Sequence, residues 1–175
     1  MFFTKKGKIN NKKDAWNNLL ADVNLYLNEP EKPKEMPSEE VRYSISIDSF
    51  MLERNNLEEY MDFRFTTFQE ELMEKIAKRN MRPADFYKKA WMDRKLFSAI
   101  KNNVCYQPSR ETAIACCLAL ELEYNEADRL LGKAGYSLSL SRKWDKIIIY
   151  CINHKIYDLF DVNELLIYFG EKQIF

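Results

Sequence analysis

An all-α fold is what this sequence predicts, on three observations. Apolar residues recur at three- and four-residue steps through most of the chain, helix-capping residues stand ahead of those runs, and only four glycines occur in 175 residues. So little glycine counts against sandwiches, propellers and phosphate-cradling loops, which use it freely. Hydrophobic residues make up 46% of the chain, enough for a sizeable core, and the length suits one domain or a domain with an appendage.

The elements follow in order. Trp16, Leu19, Leu20, Val23 and Leu27 share one face of a first helix over residues 10–28. Pro30, Pro33 and Pro37 then forbid a helix and make a linker. Val41, Tyr43, Ile45 and Ile47 alternate with polar residues, as a strand or a docked extended segment would. Residues 50–64 are acidic and weakly helical.

From Thr66 the helical pattern is regular. Thr67-Phe68-Gln69-Glu70 reads as a capping box, with Phe68, Leu72 and Ile76 continuing an apolar face to about Arg79. Pro83 suits the first turn of a helix reaching Ala90, with Phe86 inward. Trp91-Met92 makes a short turn, and Asp93 caps a helix over residues 94–102. Ser109 caps residues 110–122, with Ala113, Ile114, Cys117 and Leu118 apolar. Asn125 is expected to cap a short helix through Lys133, with Gly135 near its end. Ser141 is expected to open a helix over residues 142–153, and Asp161 a last one ending at Gly170. The chain thus divides into residues 1–65, a helix with a Pro-rich linker and an acidic extended segment, and residues 66–175, a helical domain with a C-terminal helical extension.

Lysine plus arginine equal aspartate plus glutamate, 27 each, so nothing marks a generally basic coat for nucleic acid or membrane. The distribution is uneven, however. Residues 29–74 carry thirteen acids and five bases, whereas residues 75–110 carry ten bases against Asp85 and Asp93. A +8 block within 36 residues is a candidate footprint for a polyanion.

Two short helices joined by a turn within residues 83–102, followed by two more, carry a resemblance. The stretch from Thr67 to Leu131, FQEELMEKIAKRNMRPADFYKKAWMDRKLFSAIKNNVCYQPSRETAIACCLALELEYNEADRLL after its opening threonine, resembles the Cro/repressor-type helix-turn-helix family. Within it, DRKLFSAIKNN, the Y-x-P-S that follows and the helices after it look like a domain found at the C-terminus of some bacterial macrodomain proteins and in standalone regulators. The resemblance implies a five-helix core with two extra C-terminal helices and a less regular N-terminal extension. It also implies sequence-specific binding of double-stranded DNA by a transcriptional regulator, often as a homodimer on two half-sites. Carried over by position, Arg94, Lys95 and Ser98 face base edges, while Arg82, Lys101, Asn102, Tyr106 and Arg110 hold phosphates. Two positions depart from the pattern: Tyr87 stands where a small residue is usual, and Trp91 where the turn usually begins with glycine. The alternative is a protein-interaction module, an adaptor or antitoxin-like partner that keeps the fold without binding DNA. Tyr87 and Trp91 would then anchor a protein partner.

No enzyme is expected. The single histidine, His154, has no catalytic or metal-ligand companion, and no G-x-S-x-G, H-E-x-x-H or P-loop pattern occurs. No cofactor or metal is expected either. Cys105, Cys116, Cys117 and Cys151 lack a C-x-x-C pair and read as buried, reduced thiols. Without an 18-residue apolar window or a signal-peptide pattern, the expectation is a cytoplasmic protein with no membrane partner.

Overall fold

The computed structural model describes residues 6–29 and 66–175, with side chains from residue 14 onward in the first stretch. The strand expected at residues 41–47 and the acidic segment 50–64 lie outside the described residues. Eight helices occur among the described residues, and no strand. They are α1 (Lys6–Asn28), α2 (Phe68–Lys78), α3 (Pro83–Lys89), α4 (Arg94–Asn102), α5 (Arg110–Ala119), α6 (Tyr124–Lys133), α7 (Lys143–Asn153) and α8 (Leu159–Tyr168). The fold is all-α.

Local chemistry sets several of these boundaries. Thr67 accepts from the Glu70 N–H at 3.2 Å, and the Glu70 carboxylate accepts from the Thr67 N–H at 2.9 Å, closing the capping box of α2. Asp93 and Ser109 cap α4 and α5 through the N–H groups of Leu96 and Thr112. Three starts differ from expectation. Helix α6 begins at Tyr124 behind Glu123 rather than at Asn125, and α7 at Lys143 behind Arg142 rather than Ser141. Neither Glu123 nor Arg142 makes a side-chain cap, so no capping signal marks these two starts. At α8 it is Asp158 that accepts, from the Phe160 N–H at 2.8 Å, which leaves Asp161 inside the first turn.

Six helices close in one way. The residue after the cap turns left-handed, at Asn80, Trp91, Glu121, Gly135, Lys155 and Gly170, with φ between 49 and 75°. In α3 the Trp91 N–H donates to the Lys88 carbonyl and the Met92 N–H to that of Tyr87, and the other five repeat the pattern. Only two of the six are glycine, so a chain poor in glycine still uses glycine's conformation. A non-glycine residue there gives up roughly 1–2 kcal/mol.

The core runs through the whole helical unit. Helix α3 packs on α4 and α5, α2 on α4 and α6, α5 on α6, and α7 on α6 and α8, while α8 also reaches α5. Phe86, Ile100, Ile114, Leu118 and Leu130 are fully buried where the middle helices meet, and Ile147, Ile148, Val162, Leu165 and Leu166 extend that interior under α7 and α8. Helix α1 lies against α7 with Leu20 and Val23 buried and the Tyr26 and Tyr150 rings 5.4 Å apart. It joins Thr67–Phe175 in one compact unit.

Candidate nucleic-acid interface

Helix α4 is nine residues long, with Phe97 and Ile100 turned into the core. The Asp93 carboxylate holds its first turn by accepting from the Leu96 N–H at 2.6 Å. At its other end, the buried Gln69 of α2 donates from Nε2 to the Lys101 carbonyl at 2.9 Å. Phe97 lies 5.6 Å from the Phe86 ring and 5.9 Å from the Tyr87 ring, fixing α4 against α3. The helix is therefore held at both ends and along its inner face.

Its outer face carries the sequence-nominated residues. Arg94, Ser98 and Lys101 follow one another at four- and three-residue steps, with Lys95 and Asn102 beside them, all within roughly 120° of the helix circumference. Arg94, Lys95, Lys101 and Asn102 are exposed, and Ser98 is half-buried.

The ten cations of residues 75–110 separate by partner. Lys75, Lys78, Arg79, Arg82, Lys89 and Arg110 each meet a carboxylate, whereas Lys88, Arg94, Lys95 and Lys101 form no ion pair among the described residues. The seam between α2 and α6 takes much of the pairing, with Lys75 at 2.9 Å and Arg79 at 3.3 Å from Glu126, and Arg129 at 3.3 Å from the buried Glu71. The hydrogen bond from Lys75 is the main reason that the Glu126 carboxyl sits below its ordinary range. The unpaired four all lie on α3 and α4. Lys88 was not among the nominated residues. Asp85, three residues before it, forms its fork-to-carboxylate pair with Arg82, and the Lys88 charge acts on that carboxylate only at longer range.

The remaining nominated residues fare differently. Arg82 is exposed but engages Asp85 at 2.6 and 2.9 Å, a fork-to-carboxylate pair that holds the Asp85 carboxyl below its ordinary range. Tyr106 is half-buried against the core. Arg110 is turned inward: its guanidinium donates to the fully buried Asp145 at 2.8 Å and to the Ser137 carbonyl at 3.1 Å, and lies 5.1 Å from the Trp144 ring centroid. Its charge is spent inside the fold.

Tyr87 is half-buried on Phe97 and does not stand out as an anchor. Trp91 keeps the glycine-like turn, at φ 52°, and leaves its indole 48% exposed. His154 caps α7 and stacks on Tyr150 at 3.8 Å. Cys116, Cys117 and Cys151 are buried and free, and burial pushes all three thiols up, that of Cys151 to about 12. Among the described residues, no group of three or more His, Cys, Asp or Glu is placed to hold a metal ion, and no helix is long and apolar enough to cross a membrane. Comparison with protein-family models, curated proteins and solved structures returns no match.

Proposed function

We propose that α2 to α6 form a Cro/repressor-type helix-turn-helix domain that binds double-stranded DNA sequence-specifically, as a transcriptional regulator, with α4 in the major groove. The observation that carries this reading is the separation of paired from unpaired cations within residues 75–110: those with no ion pair among the described residues sit on α3 and the outer face of α4. A helix is about 10–12 Å across with its side chains, and a major groove about 12 Å wide admits it. Arg94 and Lys95 also stand at the positive end of the α4 dipole, a placement that costs roughly 0.3–1 kcal/mol for each cation at an exposed site. Local rules broken at a persistent cost are expected where a ligand of opposite charge repays them.

Arg94 and Lys95 are the base-reading candidates and Lys88 and Lys101 the phosphate contacts. Selection from random duplexes at about 50 mM salt, where phosphate contacts are strongest, should enrich a motif. Arg94→Ala and Lys95→Ala should relax that motif at one or two positions, at about 1–3 kcal/mol each, while Lys101→Ala should weaken all duplexes alike. Wild-type protein that enriches nothing and binds no duplex would end this reading.

A second reading, a protein-interaction module, is favoured by the exposed Trp91 and by the outer face of α8, where Phe160, Ile167 and Tyr168 are each more than half exposed. A partner whose binding is indifferent to Arg94→Ala and Lys95→Ala, on a protein that ignores DNA, would replace the first reading with this one.

A further inference from the structure

We infer that Trp91 is itself a nucleic-acid contact, its indole lying against the sugar–phosphate wall of the duplex that Lys88, Arg94 and Lys95 hold; this rests on the duplex-binding reading above. Among the described residues, four non-glycine residues adopt left-handed φ, and Asn80, Glu121 and Lys155 are polar side chains at home in water. Trp91 is the apolar one, and it is exposed.

Neither the helix end nor the core requires that indole. Closing α3 uses only the Trp91 backbone, which any residue supplies. The apolar contact that accompanies such a cap falls to the buried Met92. Trp91 is 48% exposed, and it has no ring or cation partner among the described residues. Backbone strain and apolar exposure therefore coincide at one side chain.

Its surroundings specify the occupant. Lys88 and Arg94 are three residues away in the chain and Lys95 four, all exposed and without an ion pair among the described residues. An exposed indole within four residues of three exposed cations is complementary in chemistry to a surface with apolar rings set between negative charges, which is the edge of a duplex groove. Indole buries much area at little conformational cost, and its contribution does not depend on counterion release.

The test uses the full chain labelled with 5-fluorotryptophan, which reports Trp16, Trp91 and Trp144 as three fluorine signals, with Trp91→Phe assigning the middle one. On adding a mixed-sequence duplex of about 20 base pairs, long enough for two half-sites, the Trp91 signal should shift while those of Trp16 and Trp144 stay. Trp91→Gly should lose about fivefold or more in affinity with an unchanged salt slope, as loss of an aromatic contact requires. Because glycine relieves the left-handed strain, that variant should melt no lower than wild type, which separates lost contact from lost folding. A duplex that binds without moving the Trp91 signal, or that binds Trp91→Gly as tightly as wild type, overturns this contact and leaves the domain reading intact. Absence of wild-type duplex binding overturns both.

Discussion

At the scale of single residues, Arg110 and Arg94 show how one residue type reaches opposite ends. Both stand at the first position of a helix, behind a capping side chain, inside the same basic block. Arg110 meets Asp145, whose side chain is wholly enclosed and also accepts from the Ser139 N–H at 2.9 Å. That carboxylate would otherwise be a bare charge in the interior. The sequence places Asp145 thirty-five residues downstream, in a different helix, so no local spacing rule foretells the pair. Asp145→Ala should destabilise the fold by about 3–5 kcal/mol, since it strands a guanidinium under Trp144 and leaves an amide without its acceptor. Thermal or urea unfolding measures this. A loss under 1 kcal/mol would mean that the pair is screened by solvent and that Arg110 is free for other work.

At the scale of elements, a helix start was legible where a side-chain oxygen meets a backbone N–H at fixed offset, as at Thr67, Asp93 and Ser109. It was illegible where the cap is backbone alone, as at Glu123 and Arg142. Helix ends were harder. The signal sought was glycine, and four of the six left-handed closures use Asn, Trp, Glu or Lys, held there by the paired hydrogen bonds of the motif and by burial of the next apolar residue. Helix α4 depends on both kinds of device, since the α3 closure sets the turn and Asp93 starts the helix. Asp93→Ala should therefore cost about 1 kcal/mol of stability. It should also fray the first turn, where Arg94 and Lys95 sit, raising amide hydrogen exchange at Leu96 while exchange at Ile114 keeps pace only with the global loss. Equal acceleration at both sites would show that the cap does no local work.

At the scale of the whole molecule, a chain of zero net charge carries, within residues 75–110, four cations on α3 and α4 that form no ion pair among the described residues. The composition concealed this, and segment counts revealed it only in part: a +8 block was visible, but not that six of its ten cations are neutralised within the fold. Pairing across α2 and α6 joins residues about fifty positions apart, beyond the reach of local pattern. The partition leads to a quantitative expectation for the proposed complex. Four unpaired cations, each displacing a condensed counterion, give a log–log slope of affinity against salt of about −4. The ten basic residues taken at face value would give about −9. Replacing Lys88 and Lys101 together with glutamine should reduce the slope by about 2. Replacing Lys75 and Arg79 with glutamine should leave the slope unchanged and lower the melting temperature, because their charges meet Glu126 rather than phosphate. A slope near −9 in wild type, or one that falls when Lys75 and Arg79 are replaced, would mean that the internal pairs open on the duplex and that the resting partition does not define the interface.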